Sequence, residues 1–400
     1  MFTFIEEKKK LAEDVERFMK EHVKDRVDEI EEADEFPWDV AKAFFQKGFL
    51  SILVPKEYGG FGGNITDFCI ITEKVAKFSG ALSLLVVVQT VGTLPILIAG
   101  NKEQKERFLR GVGERGELMA FALTEPKAGS DAGSIETTAK KVDGGYLLNG
   151  KKAFITNGGI ADNYIIFAKT DPKKGKRGIS CFVVNKHTPG FIIGHKNNKI
   201  GMLGIPSTSA FFRDAFVPDD CLIGEEGEGF IIALETLNRS RPAVGAQAVG
   251  IAQAAFDMAM MYAVKRKQFG KPIAKLEGMQ FMLSEMATEL EAARLLVYRA
   301  AHALDTGHKF APKYSAMSKF YATDVAMNIT INAVQVMGGY GCLKSTKLER
   351  FMRDAKITQV YEGTNQIQRF VVAEQLIKEY LEKSPFCSYE ELTSEDTITL

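Results

Sequence analysis

The period of the hydrophobic positions changes twice along the chain. From Lys8 to about Arg115, apolar residues recur at the spacing typical of amphipathic helices. From Leu118 onward, short runs of β-branched and aromatic residues alternate with turn signals and have no helical segment between them. After Gly229 the helical period returns. The pattern therefore predicts a multidomain α+β chain in which a β domain separates two helical domains.

These changes of period also predict the domain boundaries. The predicted domains are an N-terminal helical domain over 1–117, a middle β domain over 118–229, a C-terminal helical domain over 230–384 and a tail over 385–400. Consecutive strands without intervening helices favour an antiparallel barrel or sandwich for the middle domain. Long helical patterns in the C-terminal domain predict a four-helix bundle, with helices over 231–265, 276–305, 311–336 and 366–382.

One segment is apolar enough to suggest a membrane span. No charged residue occurs between Lys77 and Lys102, and the stretch from Leu82 to Ala99 is long enough to cross a bilayer. Polar residues and Pro95 interrupt this stretch, and a helix that is apolar on every side can equally be buried in a large protein. We therefore predict a buried helix and no integral membrane span.

Composition and charge exclude several classes of function. The 51 basic residues equal the 51 acidic ones, so no basic excess is present to neutralise a nucleic-acid backbone. The chain has no G-x-x-x-x-G-K-[ST] phosphate loop, and its five histidines lack the spacing of paired metal ligands. The five cysteines include no C-x-x-C pair, which favours a reducing compartment. Since the N-terminus also lacks a signal-peptide core, we predict a cytoplasmic protein with no nucleic-acid partner and no metal.

Two short segments carry candidate chemistry. Residues 123–131 (Leu-Thr-Glu-Pro-Lys-Ala-Gly-Ser-Asp) combine the hydroxyls of Thr124 and Ser130 with small residues, which let backbone amides approach a flat ring or a phosphate. Residues 360–369 (Val-Tyr-Glu-Gly-Thr-Asn-Gln-Ile-Gln-Arg) place the carboxylate of Glu362 between a tyrosine and a glycine. Taken alone, the first segment is an ordinary polar turn and the second carries a solvated loop charge.

Together the two segments resemble the acyl-CoA dehydrogenase family. The resemblance extends over about residues 5–382 in the same three-domain order, and four further motifs fall in sequence at 154–158, 239–242, 266–270 and 335–339. It implies a flavoenzyme that binds FAD and removes a proton and a hydride from neighbouring carbons of an acyl-CoA thioester to give the 2-enoyl-CoA. It also implies an electron-transfer flavoprotein as electron acceptor, and it favours a homotetramer over a homodimer, built on the bundle.

The resemblance assigns most of the expected site residues to the flavin. Those expected from the same subunit are Phe121, Leu123, Thr124, Gly129, Ser130, Phe154, Ile155, Thr156, Thr364, Asn365 and Gln366, with residues 154–156 stacked beside the ring. Those expected to reach the flavin of a neighbouring subunit are Arg266, Gln268, Phe269, Gln335, Val336, Gly338 and Gly339. Phe154 stands where many family members have Trp, and it keeps a flat apolar cover. Glu277 stands where relatives commonly have Gln, and we expect it to point elsewhere because an acid beside a phosphate is repelled.

In the family, the position of Glu362 carries the base that takes the α-proton of the substrate. Some relatives carry the base at the position matching Ser240 instead, and a serine cannot accept that proton at neutral pH. The resemblance therefore assigns the base to Glu362, whose basicity would be raised by burial. The expected substrate contacts are Ser130, Asn238, Arg241, Tyr361 and Gly363, with Asn238 and Arg241 at the nucleotide end of CoA.

The resemblance also gives expectations for the acyl group. It assigns the wall of the acyl pocket to the uncharged helix, including Leu85, Val88, Gln89 and Gly92. Ser83 stands where relatives that oxidise dicarboxylic acyl groups have an arginine, so we expect a short- to medium-chain saturated acyl-CoA, with branched, cyclic and aryl groups left open. Two other hypotheses remain open: an acyl-CoA oxidase-like flavoenzyme that uses oxygen, and a catalytically silent member that binds acyl-CoA or flavin.

Overall fold

The computed structural model describes residues 6–383, with side chains from 8 to 382, so the predicted tail over 385–400 lies outside the described residues. The first part of the fold is helical, as the periodicity predicts. Its helices are α1 (Glu6–His22), α2 (Val27–Ala33), α3 (Trp38–Gln46), α4 (Ile65–Ala76), α5 (Gly80–Ala99), α6 (Lys102–Gln104) and α7 (Arg110–Arg115). The side chain of Asn64 accepts from the backbone N–H of Asp67 at 3.0 Å, and this cap fixes the start of α4.

Helix α5 corresponds to the uncharged stretch of the sequence. Within the described part of the chain it is the one helix long and apolar enough to cross a membrane, and 89% of its most apolar window is buried inside the protein. Ser79 begins the helix by accepting from the backbone N–H of Leu82 at 3.2 Å. Residues from Gly80 to Ile96 are buried against neighbouring elements, so the absence of charge reflects burial on all sides of α5.

The middle domain is an eight-stranded sheet around an aromatic core. Its strands are β1 (Met119–Ala122), β2 (Thr138–Val142), β3 (Gly145–Thr156), β4 (Asn163–Lys169), β5 (Ile179–Asn185), β6 (Phe191–Lys196), β7 (Ser207–Pro218) and β8 (Leu222–Ile223). The strand order is β6-β7-β3-β2-β4-β5-β8, and β1 pairs with β4. Tyr146, Tyr164, Phe167 and Phe182 are fully buried in this domain, which is the core that the β-branched and aromatic runs predict.

The expectation of a purely antiparallel sheet is wrong at one strand. β1 runs parallel to β4, with Met119 opposite Asn163 and Ala122 opposite Ile166, and one residue pair of β2 is parallel to β4 as well. A parallel pair needs a crossover connection, and the β2–β3 hairpin lies between β1 and β4 in the chain and supplies it. The other ladders of the sheet are antiparallel, as predicted.

The C-terminal domain contains the four long helices that the periodicity predicts. They are α8 (Gly229–Lys265), α9 (Glu277–Asp305), α10 (Ala311–Met337) and α12 (Asn365–Lys383). Between α8 and α9 lies a small hairpin of β9 (Lys267–Gln268) and β10 (Lys271–Pro272). Gly250 lets α4 approach α8, because a Cβ there would lie 2.3 Å from the carbonyl oxygen of Glu73.

One helix of the C-terminal domain was not predicted: α11 (Leu348–Thr358) adds a fifth helical element to the four long helices. This helix is only three turns long, and ion pairs to distant residues anchor it. Arg350 pairs with Asp28 at 3.0 Å and Arg353 with Glu31 at 2.7 Å, both in α2. A short helix anchored in this way depends on tertiary contacts that its local periodicity cannot reveal.

Candidate active site

Glu362 lies in the loop between α11 and α12. Its backbone has a φ of 55°, and Gly363 has a φ of 90°. A non-glycine residue in the left-handed region costs roughly 1–2 kcal/mol, so surrounding contacts must hold this turn in place. Such strain is typical of functional sites.

Buried side chains hold the two carbonyl groups of this turn. The carbonyl oxygen of Glu362 accepts from Arg241 Nε at 3.3 Å and from Gln368 Nε2 at 3.2 Å. The carbonyl oxygen of Gly363 accepts from Lys319 Nζ at 2.9 Å and from Gln368 Nε2 at 3.1 Å. These donors come from α8, α10 and α12, so three helices of the bundle fix the loop.

The carboxylate of Glu362 points toward α8, where Ser240 Oγ donates to its Oε2 at 2.6 Å. Burial raises the pKa of Glu362 to about 7, although the hydroxyl of Ser240 and the charges of Arg241 and Lys319 act in the opposite direction. The group is therefore poised to gain or lose a proton near neutral pH. Ser240 occupies the alternative base position of some relatives and here serves as a donor to Glu362.

Arg241 and Asn238 are held together, as a pair, in the same region. Arg241 Nη1 donates to Asn238 Oδ1 at 2.9 Å, and burial lowers the pKa of Arg241 to about 10. Pro242 cannot donate to the carbonyl oxygen of Asn238, which instead accepts from Ser315 Oγ at 2.6 Å. The guanidinium of Arg241 thus lies against the main chain of Glu362. Its contact with CoA, which we expected at the nucleotide end, stays a prediction.

Tyr361 connects the loop to the uncharged helix α5. Its hydroxyl donates to Gln247 Oε1 at 2.5 Å, and Gln247 Nε2 donates to Ser83 Oγ and to the carbonyl oxygen of Gly80, both at 2.9 Å. Gln247 is fully buried and crosses from α8 to α5. A row of hydrogen bonds from Tyr361 through Gln247 to Ser83 and Gly80, here called the polar chain beneath Tyr361, therefore fills the space between α5 and α8.

Two residues expected to wall the acyl pocket face the β domain. Gln89 Oε1 accepts from the backbone N–H of Met119 at 2.8 Å, and its Nε2 donates to the carbonyl oxygen of Glu117 at 3.0 Å. A Cβ on Gly92 would lie 2.5 Å from the Cβ of Met119. At these two positions α5 therefore faces the β domain, since successive residues of a helix face different neighbours around its axis.

A buried ion pair between Lys152 and Glu125 anchors the segment 121–130, which we expected at the flavin. Lys152 Nζ donates to Glu125 Oε1 at 2.7 Å and to the carbonyl oxygen of Leu123 at 3.1 Å, and burial lowers the pKa of Lys152 to about 8. The carbonyl oxygen of Thr124 accepts from the backbone N–H of Ala153 at 2.9 Å.

The residues of this segment differ in exposure. Phe121 and Thr124 are partly exposed, Leu123 is buried, and Gly129 and Ser130 are exposed. A Cβ on Gly129 would have no neighbour within 4 Å, so its backbone is open to a ligand.

The end of β3 presents an aromatic ring. Phe154 has a φ of 55° and its side chain is 70% exposed. Ile155 is fully buried, and Thr156 is partly exposed. Side chains alternate along a strand, so the side chain of Ile155 packs in the domain core and cannot stack beside a ligand with Phe154 as we expected.

Most of the residues expected at a neighbouring subunit's flavin line a groove of about 400 Å³ between the end of α8 and the end of α10. Five of them line it together: Arg266, Gln268, Val336, Gly338 and Gly339. Phe269 is 87% exposed at the tip of the β9–β10 hairpin, and Gln335 is exposed beside the groove. Glu277, which we expected to point away from the flavin, is exposed at the first turn of α9.

This groove is far from Glu362 of the same chain. Ser240, which binds Glu362, and Arg266, which lines the groove, are 26 positions apart along α8 (266 − 240). At about 1.5 Å per residue this corresponds to roughly 39 Å along the helix axis. Within one chain, the groove therefore lies far from the expected flavin residues 364–366, which adjoin Glu362.

The three residues after Gly363 do not face one direction. Thr364 Oγ1 accepts from the backbone N–H of Ile367 at 3.4 Å at the start of α12, and Gln366 is exposed. Asn365 is buried, accepts from Lys319 Nζ at 2.9 Å and donates to Asp324 Oδ1 at 2.7 Å. Its side chain thus faces the bundle and is occupied there, which differs from the expectation that it contacts the flavin. The reason is that successive helical residues point about 100° apart.

The arrangement fits a flavin dinucleotide. The exposed flat ring of Phe154, the open backbone at Gly129, and a groove containing Arg266 suit an aromatic ring system joined to phosphates. A Cβ on Gly338 or Gly339 would also have no neighbour within 4 Å. The fold and the site therefore define a three-domain flavoenzyme with a partly buried carboxylate in the loop before the last helix.

Comparisons with known proteins agree with this class. Models of the N-terminal, middle and C-terminal domains of acyl-CoA dehydrogenases match residues 5–115, 120–215 and 227–377. The chain is 46% identical over 373 residues to a cyclohex-1-ene-1-carbonyl-CoA dehydrogenase of Syntrophus aciditrophicus, covering 93% of this chain and 90% of the relative. The chain therefore belongs to the acyl-CoA dehydrogenase family. It is an oxidoreductase that uses FAD to dehydrogenate an acyl-CoA thioester, as the sequence resemblance predicts.

Two solved structures are similar over nearly the whole chain. The butyryl-CoA dehydrogenase of Megasphaera elsdenii has a TM-score of 0.91 and 39% identity, and the match covers 94% of this chain and all of that one. A chain solved in work on the electron transferring flavoprotein of Acidaminococcus fermentans has a TM-score of 0.92 and 40% identity, with the same coverage. These similarities confirm the predicted order of helical domain, β domain and helical bundle.

Three side chains that support Glu362 and its loop were not predicted from the sequence: Gln247, Lys319 and Gln368. Each is a single polar residue on a helix, and a polar position of this kind is most often solvent-exposed. The one available signal was at Gln247, which stands alone in a run of small and apolar residues over 242–252. A polar residue on an otherwise apolar helix must find a buried partner, and Tyr361 and Ser83 are the partners of Gln247.

Proposed function

We propose that Glu362 removes the α-proton of a short- to medium-chain saturated acyl-CoA, so that the product is the 2-enoyl-CoA. The observation that carries this proposal is the carboxylate of Glu362, whose pKa is raised to about 7 by partial burial, in a left-handed turn fixed by three helices. An α-proton of a thioester is weakly acidic, and a carboxylate with raised basicity is the matching acceptor. FAD, when bound, accepts the hydride from the β-carbon.

The residues around Glu362 have distinct parts in this proposal. Ser240 orients the carboxylate through its 2.6 Å hydrogen bond, and the backbone around Glu362 lies close to the thioester because Gly363 carries no side chain. Within residues 6–383 the backbone N–H of Glu362 has no acceptor, so it is available to the thioester oxygen as negative charge develops there. Ser130, Asn238, Arg241 and Tyr361 complete the proposed substrate contacts.

The preference for compact acyl groups follows from the polar chain beneath Tyr361. A long chain that extended between α5 and α8 would have to displace Gln247 and leave buried polar groups unpaired, at about 1–3 kcal/mol each. Ser83 offers no positive charge to a dicarboxylic substrate. The relatives named for butyryl and cyclohexene-carbonyl groups both act on compact acyl groups, and this supports the same preference here.

We propose a homotetramer in the cytoplasm with an electron-transfer flavoprotein as electron acceptor. The roughly 39 Å between Ser240 and Arg266 along α8 supports an assembly in which neighbouring copies complete each flavin site. Cys69, Cys181 and Cys221 are buried free thiols, which suits a reducing compartment. The similar chain from work on an electron transferring flavoprotein supports the acceptor.

Purified protein assayed with a panel of acyl-CoAs and a dye acceptor tests the substrate proposal. We expect the highest kcat/KM for saturated chains of about four to eight carbons, because a longer chain would have to displace Gln247 from Tyr361 and Ser83. Activity confined to dicarboxylic thioesters would overturn this proposal. Peroxide release at the rate of substrate loss would favour the oxidase hypothesis, and binding of acyl-CoA without turnover would favour the silent one.

A further inference from the structure

Lys319, in the middle of α10, is a charged residue that the reaction proposed above does not use. Its side chain is fully buried, which is rare for lysine unless it is paired. Its Nζ donates to the carbonyl oxygen of Gly363 and to Asn365 Oδ1, both at 2.9 Å. The first acceptor is in the turn that carries Glu362, and the second is at the start of α12.

These two bonds connect the turn to the bundle. Asn365 is itself fixed by donating to Thr323 Oγ1 at 2.8 Å and to Asp324 Oδ1 at 2.7 Å, so Lys319 binds a rigid acceptor on one side. On the other side it binds the carbonyl oxygen of Gly363, which follows the strained residue Glu362. Loss of Lys319 Nζ would leave Gln368 as the remaining side-chain donor to this carbonyl oxygen.

Lys319 is also one of two cations that act on the carboxylate of Glu362. The other is Arg241 on α8, while Ser240 and Tyr361 supply neutral hydroxyl groups nearby. Asp324 on α10 also acts on Lys319, but it is paired with Arg369 of α12 at 2.7 Å. Burial lowers the pKa of Lys319 to about 7, and the negative charge of Glu362 opposes that fall.

We propose that Lys319 is a positioning residue for the dehydrogenation: its buried Nζ fixes the turn around Glu362 and, while it is protonated, stabilises the ionised carboxylate. This inference rests on the proposed function of Glu362 as the base. Lys319 does not touch the substrate in this proposal. It acts through the carbonyl oxygen of Gly363 and through its positive charge.

The same helix provides a matched control. Lys313 lies on α10 six positions before Lys319, is nearly buried, and forms an ion pair with Glu379 of α12. Its removal also deletes a buried charge that joins α10 to α12, but Lys313 has no contact with the Glu362 turn among the described interactions. A general cost of losing a buried charge therefore affects both positions, whereas a positioning role is specific to Lys319.

The test compares Lys319→Met, Lys319→Gln and Lys313→Met in the FAD-loaded enzyme. We expect Lys319→Met to lower kcat roughly 10- to 100-fold, with a smaller change in KM, because a misplaced base slows proton transfer more than binding. We also expect the acidic limb of the kcat/KM pH profile to move up by about one pH unit, because removal of a nearby cation raises the pKa of a carboxylate. Lys319→Gln should restore part of kcat by donating to the Gly363 carbonyl oxygen, and the pH shift should remain. Thermal unfolding and flavin absorbance, measured in parallel, report folding and cofactor content.

Three outcomes decide the proposal. The proposal is overturned if the wild type oxidises acyl-CoA and the pH profile of Lys319→Met superimposes on the wild-type profile. Equal losses of activity, flavin and thermal stability in all three variants also overturn it, since they indicate a purely structural role. Failure of the wild type to oxidise any acyl-CoA contradicts the proposed function itself and is thereby distinguished from a failure at Lys319.

Discussion

Removal of the hydroxyl group of Ser240 tests how the carboxylate of Glu362 is tuned. Ser240 Oγ donates to Glu362 Oε2 at 2.6 Å, and Ser240 is fully buried. A hydrogen bond to a charged acceptor contributes roughly 1.5–3 kcal/mol, and about 1.36 kcal/mol corresponds to one pKa unit. Since the bond favours the ionised form, Ser240→Ala should raise the pKa of Glu362 from about 7 to roughly 8–9.

The consequence appears in the pH dependence of turnover. At pH 7 about half of the wild-type carboxylate is ionised, whereas a pKa of 8–9 leaves roughly 1–10% ionised, so kcat/KM should fall about 5- to 50-fold at pH 7. Most of this loss should be recovered above pH 9, where Glu362 is ionised in both proteins. The assay is dye-coupled kcat/KM measured from pH 5 to pH 10 with the preferred acyl-CoA.

Thr236→Ala is the matched control for this variant. Thr236 is also fully buried on α8, and its hydroxyl donates to the carbonyl oxygen of Ile232 at 2.8 Å within the helix. This control should leave the acidic limb of the profile unchanged. An acidic limb at the wild-type pH in Ser240→Ala, with flavin content intact, would refute the conclusion that the 2.6 Å bond lowers the pKa of Glu362.

Two further predictions concern the pocket and the assembly. Gln247→Ala removes the hydrogen bonds that join Tyr361 to Ser83 through Gln247. The ratio of kcat/KM for an eight- to twelve-carbon acyl-CoA to that for butyryl-CoA should therefore rise roughly tenfold or more, as expected if about two more methylene groups are buried. An unchanged ratio across the acyl-CoA panel would contradict the proposal that Gln247 limits the length of the acyl chain. Gly339→Leu fills the groove that contains Arg266. If neighbouring copies complete the flavin site as proposed, flavin absorbance per chain and the fraction of the proposed tetramer in analytical ultracentrifugation should both fall. Full flavin occupancy would show that the groove is not part of the cofactor site.

Long elements were predictable from the sequence because their periodicity extends over many residues. Helices α8, α9, α10 and α12 begin and end within about two residues of their predicted bounds, as expected for long amphipathic patterns. Helix α11 was missed because its anchors, Asp28 and Glu31, are more than three hundred residues away in the chain. The parallel pairing of β1 with β4 was missed because strand partners are set by tertiary contacts.

At the site, the motifs identified the loop but not the direction of each side chain. The residue pairs Phe154 with Ile155 and Thr364 with Asn365 were treated as if neighbours in a motif shared a face. Neighbouring residues cannot share a face, because side chains alternate along a strand and successive helical residues point about 100° apart. Both rules could have been applied to the sequence. Lys319, in contrast, could not be assigned, because only the packing of α10 against the Glu362 turn reveals what its ammonium group contacts.

The most direct test of the central claim is the rate at which the flavin absorbance bleaches when Glu362→Gln is mixed rapidly with acyl-CoA. The amide keeps the size of the carboxylate but cannot take up the α-proton. We expect normal flavin content and a bleaching rate lower by about two to four orders of magnitude than in the wild type. Bleaching within a few-fold of the wild-type rate would show that another group accepts the proton and would contradict the account.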